Sequence, residues 1–405
     1  MKSWGGKIAI VGVGCTRFGE NFDQSYEDMV VEATLEAVRD AGLSLERIDG
    51  AWLSTAFPDA GVWKGRSGMD LAEPLALWDI PITRVSNYCA SAGDALRNAC
   101  MALLSGVHDC VLALGVEKLR DRSPQASLVA MQVDTGHPFY QKGFTAPGTF
   151  AVLANRHFKS FGTTREHLAQ ISVKNHAHSV DNPRAQYRTP IELEDVLRSP
   201  MVAEPLTVLD CCPTTDGAAA AVLVRAEDVP AGARPVIVRG QGFAVSAGWD
   251  SPFYDPENDF VGFRASRVAA ETAYREAGIA DPLSEIDLAE VHDCFSISEL
   301  LAYADLGFCE PDDAGDFVAS GTSAREGEVP FNTSGGLLSC GHPVGATGLR
   351  MLHQLTLQLR GDAGGMQVPG AKVGLAHNIG GPGAVAAVTI LEAGASAAPD
   401  GDQEA

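Results

Sequence analysis

The sequence predicts an α/β protein built from two similar halves. Apolar strand-like runs alternate with amphipathic helical stretches, as in "KIAIVGVG" (7–14) followed by "SYEDMVVEATLEAVRDAG" (25–42). This alternation is typical of helices layered on a mixed sheet. Two pairs of segments also echo each other along the chain, and repeats this long predict paired domains rather than a solenoid.

The echoes repeat the same succession of elements in each half. "AVRDAGLSLERID" (37–49) returns as "AYREAGIADPLSEID" (273–287), each a helix that ends in Ala-Gly before Ile-Asp and a strand. "GDALRNACMALLSG" (93–106) returns as "TGLRMLHQLTLQLRG" (347–361), and a strand follows in both cases. The two halves are therefore expected to be related by a pseudo-two-fold axis.

One unmatched segment interrupts this repeat. We expect residues 1–118 with 216–229 to form the N-terminal half and residues 230–393 to form the C-terminal half. Residues 119–215 have no counterpart and are richer in Pro, His and Gln, which predicts an inserted loop domain. The small, acidic tail 394–405 is expected to be disordered.

Composition restricts the partners of the protein. The chain has 405 residues with 30 basic and 52 acidic side chains, a net charge of -22. This charge opposes attraction to nucleic acid and anionic membranes. Nine scattered cysteines without CxxC pairs argue against disulfides and zinc, and no apolar run has the length of a membrane helix. We therefore expect a cytoplasmic protein with no metal and no bound cofactor.

The stretch "SNYCASAG" (86–93) places Cys89 just before a predicted helix. The positive end of a helix macrodipole stabilises a thiolate and lowers the pKa of a cysteine, so Cys89 is a candidate nucleophile. The alternative is a small core residue at a tight turn. The second echo puts Cys89 and His342 at equivalent points of the two halves, so the pseudo-two-fold axis would bring both to one site.

His342 lies in the glycine-rich loop of "SGGLLSCGHPVGATGLR" (334–350), which opens the second of these helices. Pro343 fits the first helical position and would fix the direction of His342. A histidine beside Cys89 can take its proton, as nucleophilic catalysis requires. The alternative is a structural loop histidine. Cys340, just before Gly341 and His342, gives this loop a thiol of its own.

Two further segments carry candidate site residues. "EVHDCFS" (290–296) puts His292 and Cys294 at the carboxyl end of a strand, where open α/β sheets place their sites. The alternatives are a metal ligand, for which zinc spacing is missing, and a satisfied buried histidine.

"AHNIGGPGAVAAVTIL" (376–391) predicts a turn in which glycines let backbone N–H groups approach a ligand as in an oxyanion hole, although a plain β-turn explains it equally. The glycines are Gly380, Gly381 and Gly383.

These four segments, in this order, resemble the thiolase family over about residues 5–393, with the closest likeness to the sterol-carrier-protein-2-type (SCP2) branch. The resemblance implies the thiolase fold, with duplicated βαβαβαββ halves forming a five-layered αβαβα core around an inserted loop domain. It also implies a homodimer. "VKNHAHSVDNPRAQYR" (173–188) resembles the part of the loop domain that contributes to binding of coenzyme A (CoA).

The resemblance also implies roles for the site residues. An acyl-CoA acylates the family's cysteine, here Cys89, and the histidine of the GHP motif, here His342, activates it. "HDCF" (292–295) is the SCP2-branch form of a motif that helps hold the thioester oxygen, which gives this role to His292. The usual CxG cysteine is missing, with Asn378 in its place. Cys294 is therefore implied as the acid/base, with Cys340 as its rival.

The implied reaction is CoA-dependent cleavage of a 3-ketoacyl-CoA to acetyl-CoA and a shortened acyl-CoA, or the reverse Claisen condensation. CoA would be a cosubstrate. One alternative is an acyltransferase or retro-aldolase that pairs with a small OB-fold, zinc-ribbon partner. Another is a non-catalytic subunit that binds acyl-CoA. Four aromatic residues of the inserted segment indicate room for an apolar acyl group: Phe139, Tyr140, Phe144 and Phe150.

Overall fold

A computed structural model of the protein describes residues 4–122, 145–247 and 258–395. The strands in these ranges are β1 (Ile8–Cys15), β2 (Gly50–Ser54), β3 (Ile82–Val85), β4 (Cys110–Glu117), β5 (Met201–Ala203), β6 (Leu206–Thr207), β7 (Gly217–Arg225), β8 (Val236–Val245), β9 (Leu288–Val291), β10 (Val373–Gly380) and β11 (Val385–Ala393). The helices are α1 (Tyr26–Asp40), α2 (Met69–Leu75), α3 (Ser91–Leu104), α4 (Ala146–Phe161), α5 (Arg165–Ser179), α6 (Leu193–Arg198), α7 (Arg264–Ala277), α8 (Pro282–Glu285), α9 (Ser296–Asp305), α10 (Ala314–Ala319), α11 (Gly336–Cys340) and α12 (Thr347–Arg360).

Local sequence signals determine where the first helix begins and ends. Ser25 caps helix α1 and exchanges hydrogen bonds with Asp28, which forms a capping box. Gly42 adopts a left-handed φ of 64° just after the helix, a conformation that glycine takes without strain. The helix predicted over residues 25–42 is therefore confirmed.

Nine strands form one mixed sheet in the order β3-β2-β4-β7-β1-β8-β11-β10-β9. Strands β1 and β8 pair antiparallel at the centre, where Ile8 lies opposite Val238. Outward from this pair, each half continues with its last strand (β7 or β11), then the sheet strand before it in sequence (β4 or β10), and then its second strand (β2 or β9). In the C-terminal half, a single parallel bridge between Ala289 and Phe331 lies where a last strand would fall. The sheet therefore has the duplicated arrangement that the sequence echoes predict.

Helices separate the two halves into layers. Helices α3 and α12 pack against each other and against strands of both halves, while α1 covers β1 and β7 and α7 covers β8 and β11 on the outer faces. Helix α12 is buried along most of its length. The two halves of the sheet therefore form two β layers with α3 and α12 between them, which confirms the expected five-layered αβαβα architecture. These two central helices begin beside the candidate site.

The segment between β4 and β7 contains helices α4, α5 and α6 and the short β5–β6 pair. Phe150 of α4 is buried, and its ring centroid lies 4.6 Å from that of Phe295. Phe139, Tyr140 and Phe144 lie outside the described residues, as does most of the tail 394–405. The proposed division into two halves, a loop domain and a tail stays a prediction.

Candidate active site

Cys89 lies in a tight turn between β3 and α3. Tyr88 takes a left-handed φ of 50°, and the Ser91 hydroxyl accepts a hydrogen bond from the Asn87 backbone N–H at 2.7 Å. A residue larger than glycine is strained in this conformation, and such strain is concentrated at functional sites. Cys89 is a half-buried residue, and its sulfur accepts hydrogen bonds from its own backbone N–H and from that of Gly381.

Three side chains that the sequence singles out separately meet at this turn. The Cys89 sulfur and one ring nitrogen of each of His292 and His342 lie within 4.8 Å of one another. The two imidazole rings meet edge to face, with their centroids 5.0 Å apart. This is a donor set that zinc accepts, and the absence of a metal stays a prediction. The same arrangement suits a thiol nucleophile with two imidazole partners.

The hydrogen bonds around His342 define which ring nitrogen carries its proton. The Thr347 hydroxyl donates its only proton to the Pro343 carbonyl at 3.0 Å. It must therefore accept from His342 Nδ1, 2.7 Å away. His342 Nε2 is then unprotonated and can act as a base toward Cys89. The sequence-based position of Pro343 was wrong, because α12 begins at Thr347.

The thiol and the base are both neutral at rest. Burial raises the pKa of Cys89 to about 12; nearby Glu117 adds to this, and the two backbone N–H donors oppose it. Burial and then Arg350 lower the pKa of His342 to about 3. The expectation of a lowered Cys89 pKa was wrong, because enclosure of the sulfur outweighs its donors. Proton transfer to His342 must therefore accompany the attack by sulfur.

A neutral pair predicts a particular pH dependence of thiol alkylation. We expect alkylation of Cys89 by iodoacetamide to accelerate about tenfold per pH unit from pH 6 to 9, because the thiolate fraction grows in that proportion below the pKa. The rate is measured by mass mapping of the Cys89 peptide, with Cys89→Ala as background. A rate that stays level across this range would indicate a thiolate–imidazolium ion pair and contradict the assignment.

The glycine turn after β10 meets the Cys89 loop closely. A Cβ atom at Gly380 would lie 2.5 Å from the Asn87 carbonyl oxygen, so only glycine lets the two segments approach this far. Gly381 supplies one of the two N–H groups on the Cys89 sulfur. Gly383 lies elsewhere, against the Phe263 ring, where a Cβ would come within 2.0 Å. Of the three glycines, Gly380 and Gly381 lie beside the nucleophile.

Two residues of the HDCF segment, which follows β9, have different partners. Asn378 Nδ2 lies 3.1 Å from His292 Nδ1. Asp293 accepts backbone hydrogen bonds from Leu337 and Leu338 in α11, the longer of which is 3.2 Å. It thereby holds the segment that leads to His342.

The two candidate acid/base thiols have different surroundings. Burial raises the pKa of Cys294 well above its usual range, and the Ser298 hydroxyl, 3.5 Å away, opposes this increase. An electrostatic interaction with Cys89 adds to the increase. Cys340 instead lines a separate cavity of about 20 Å³ with Cys15 and Arg350. Cys294 therefore belongs to the surroundings of Cys89, and Cys340 does not.

Sequence reasoning missed Glu117, a buried carboxylate at the end of β4. It accepts backbone hydrogen bonds from Ala56 and Phe57 at 3.0 Å and from Gly345 at 2.7 Å. It therefore ties the turn after β2 to the loop of His342. Burial raises the pKa of Glu117 to about 7. Its place at the carboxyl end of a strand was the one available signal.

A groove of about 490 Å³ lies on the inserted segment near the site. Its mainly apolar wall includes Val208, Leu209 and Leu338, with Arg188 as a cationic group. The groove also includes Cys212, whose backbone N–H donates to the Cys294 carbonyl at 2.9 Å. The groove therefore extends to the HDCF segment.

The motif expected to contribute to CoA binding is divided in its placement. Tyr187 and Arg188 line this groove. Asn175 and His178 are instead buried: Asn175 donates hydrogen bonds to Asp293 and Glu299, and His178 contacts the Asn332 carbonyl.

Among the described residues, no helix has the length and apolar character to cross a membrane.

Family models match both halves of the chain. A model described as thiolase, N-terminal domain, matches residues 8–227, and one described as thiolase C-terminal domain-like matches residues 248–393. An acetyl-CoA acetyltransferase of Methanothermobacter thermautotrophicus is 41% identical over 95% of this chain and 99% of its own length. Human sterol carrier protein 2 is 37% identical over 96% of this chain and 72% of its own length.

Solved structures show the same fold. The Ltp2-ChsH2(DUF35) aldolase superposes with a TM-score of 0.81 at 28% identity, covering 97% of this chain and 99% of that one. Human mitochondrial 3-ketoacyl-CoA thiolase, solved in complex with CoA, superposes with a TM-score of 0.73 at 18% identity, covering 96% and 98%. Fold, site and relatives define an acyltransferase of the thiolase type. The chain belongs to the thiolase family and, within it, to the SCP2-type branch.

Proposed function

We propose that this thiolase cleaves a 3-ketoacyl-CoA with free CoA, or runs the reverse Claisen condensation, through an acyl group on Cys89. The observation that carries the proposal is the meeting of Cys89, His292 and His342 within 4.8 Å. The backbone N–H groups of Cys89 and Gly381 supply a first oxyanion hole beside the sulfur. Each donor of such a hole contributes on the order of 10²–10³ in rate.

In the cleavage direction, the Cys89 sulfur attacks the 3-keto carbon while its proton passes to His342 Nε2. The resulting oxyanion is held at the first hole. The bond between the α and β carbons then breaks, which leaves an acyl thioester on Cys89 and the enolate of acetyl-CoA. His292 and protonated His342 hold the enolate oxygen, and the Cys294 thiol protonates its carbon.

The second half of the turnover restores the enzyme. The thiol of incoming CoA loses its proton to the Cys294 thiolate and attacks the acyl group. The Cys89 sulfur leaves and regains its proton from His342. The sum is one 3-ketoacyl-CoA and one CoA converted to two acyl-CoA molecules, by ping-pong turnover.

The groove beside the HDCF segment supports CoA as cosubstrate. Its apolar wall suits the thioester arm, and Arg188 offers a positive charge in a chain of net charge -22. A thiolase of the same fold has been solved with CoA. No other cofactor is proposed. Nine unpaired cysteines agree with a reducing, cytoplasmic environment.

The function is tested by offering the protein two kinds of substrate. We expect cleavage of 3-ketoacyl-CoA to depend strictly on added CoA. The acyl-CoA products are measured by chromatography. Cleavage of 3-hydroxyacyl-CoA without CoA, releasing an aldehyde or ketone, would instead indicate a retro-aldolase. Varying the acyl chain in the same assay defines its specificity and its place in lipid metabolism.

A second candidate function is a partner-dependent enzyme. The aldolase structure with a TM-score of 0.81 is named for two components, one of them a DUF35 protein. The family resemblance implies a small OB-fold, zinc-ribbon protein as the partner of such an enzyme. Retention of Cys89, His342 and Cys294 favours acyl transfer over a lyase that needs no acyl-cysteine. Activity that appears only on addition of such a protein would support the second candidate.

Homodimer formation is proposed from the edge of the sheet. Strand β3 ends the strand order, and Met69 and Trp78 near it are 66% and 59% exposed. An edge strand beside apolar side chains is a pairing surface that a second copy can cover. We expect the double variant Met69→Ser, Trp78→Ser to shift the protein toward monomer in sedimentation velocity. A monomeric wild-type protein would contradict the proposal.

A further inference from the structure

Asn378 is a buried amide of β10 that faces the active site. It is 2% exposed, and its Nδ2 lies 3.1 Å from Nδ1 of His292. The preceding residue, His377, contacts Ser266 through Nε2 at 2.8 Å. Successive side chains of a strand point to opposite faces, so Asn378 alone of the two reaches His292.

The position of the Asn378 oxygen determines which way the amide points. A Cβ atom added to Gly348 would lie 2.5 Å from Asn378 Oδ1, and one added to Gly93 would lie 3.9 Å from it. The oxygen is therefore close to both glycines. Gly93 and Gly348 belong to the first turns of α3 and α12. Helix N-termini carry partial positive charge. The negative end of the amide dipole therefore faces both helix starts, and the Nδ2 donor is left for His292.

This orientation has a consequence for the proton on His292. Burial, followed by electrostatic interactions with His342, His377 and Arg350, lowers the pKa of His292 well below its usual range, so the ring is neutral. A neutral imidazole has one protonated nitrogen, and the nitrogen facing an N–H donor must be the unprotonated one. His292 therefore holds its proton on Nε2.

We infer that Asn378 is a positioning residue that keeps His292 in the Nε2–H form, as a hydrogen-bond donor to the enolate oxygen during carbon–carbon bond cleavage. His292 and His342 then have opposite tautomers. His342 carries its proton on Nδ1 because of Thr347, which leaves Nε2 as a base. His292 carries its proton on Nε2, which makes it a donor. An amide has no acidic proton, so Asn378 does not take over the acid/base role of the family cysteine whose place it occupies.

The inference rests on the proposed function and predicts a split between two reactions. Exchange of an acyl group between acyl-CoA and labelled CoA needs Cys89, His342, the first oxyanion hole and Cys294 as the base for incoming CoA, but no enolate. Cleavage of 3-ketoacyl-CoA needs the enolate donor as well. A change at Asn378 should therefore slow cleavage and spare exchange, a split that general loss of structure would not produce.

The test uses Asn378→Asp, which replaces the N–H donor by an acceptor of the same shape. We expect kcat for cleavage to fall about 10²–10³-fold, the value of one oxyanion donor, with KM and the exchange rate within about threefold of wild type. Ring ¹⁵N chemical shifts of labelled histidine should place the His292 proton on Nε2 in the wild type and on Nδ1 in the variant. Asn155→Asp, an exposed site on α4, is the matched control.

Each outcome separates the inference from the proposed function. Equal losses of cleavage and exchange in folded Asn378→Asp, unchanged cleavage, or a proton on Nδ1 in the wild type would overturn the inference. Absence of both reactions in the wild type would overturn the proposed function, while the ¹⁵N shifts would still decide the tautomer. If Asn378→Asp fails to fold, Asn378→Ala is used instead. We then expect kcat for cleavage to fall about tenfold while the exchange rate stays near that of the wild type.

Discussion

Replacing Cys89 by Ala is expected to abolish acyl exchange and carbon–carbon cleavage, with a loss of about 10⁴-fold or more. The sulfur is the atom that carries the acyl group, and no other described thiol shares its two backbone N–H donors and its contact with both histidines. The measurement is exchange of labelled CoA into acyl-CoA.

Cys100→Ala is the matched control for this variant. Cys100 lies in α3 and is fully buried in the core. Its replacement measures how removal of a buried thiol from this helix affects activity and stability when the site itself is unchanged. We expect its exchange rate to stay within about threefold of wild type, with a small loss of stability. Near-normal exchange in folded Cys89→Ala would refute the nucleophile assignment.

Replacing Cys294 by Ser is expected to slow carbon–carbon cleavage by about 10³-fold, near the middle of the range that general acid–base catalysis contributes. A hydroxyl fits the space of the thiol but does not give up its proton at neutral pH. Because Cys294 serves the enolate and the incoming CoA, both half-reactions should slow. The measurement is single-turnover release of acetyl-CoA, which isolates the protonation step.

Cys340→Ser separates the two rival thiols. Cys340 lines the small cavity with Cys15 and accepts a hydrogen bond from Asn182 at 3.6 Å. Its replacement should change cleavage by less than about tenfold, through packing alone. A larger loss from Cys340→Ser than from Cys294→Ser would reverse the acid/base assignment.

Much of the fold follows from patterns that are local in the sequence. The strand 7–14, the capped helix at Ser25 and the echoed helices before Gly106 and Gly361 are each readable from periodicity and end signals. The duplication also predicts that Cys89 and His342 share a site, because a two-fold relation turns equal positions in sequence into neighbours in space.

The electrostatics of the site could not be predicted in the same way. A helix start after Cys89 argues for a lowered thiol pKa, yet burial and Glu117 raise it to about 12. Burial of a side chain depends on segments that are distant in sequence, here the turn at Gly381 and the end of β4. Single-sequence patterns contain no measure of that enclosure.

The tautomers of the two histidines likewise depend on long-range contacts. Asn378 lies 86 positions from His292, and the sequence shows only that a cysteine expected from the family pattern is missing there. Thr347 is near His342 in sequence, but its effect depends on the Pro343 carbonyl taking its proton. Hydrogen-bond direction is decided by the folded geometry.

The central claim is that Cys89 carries the acyl group. We would incubate the protein with a panel of acyl-CoAs and 3-ketoacyl-CoAs, record its intact mass and map any adduct to a peptide. The account predicts one acyl group on Cys89 that added CoA removes as acyl-CoA. An acyl group on another residue, or none on folded protein with any donor, would contradict it.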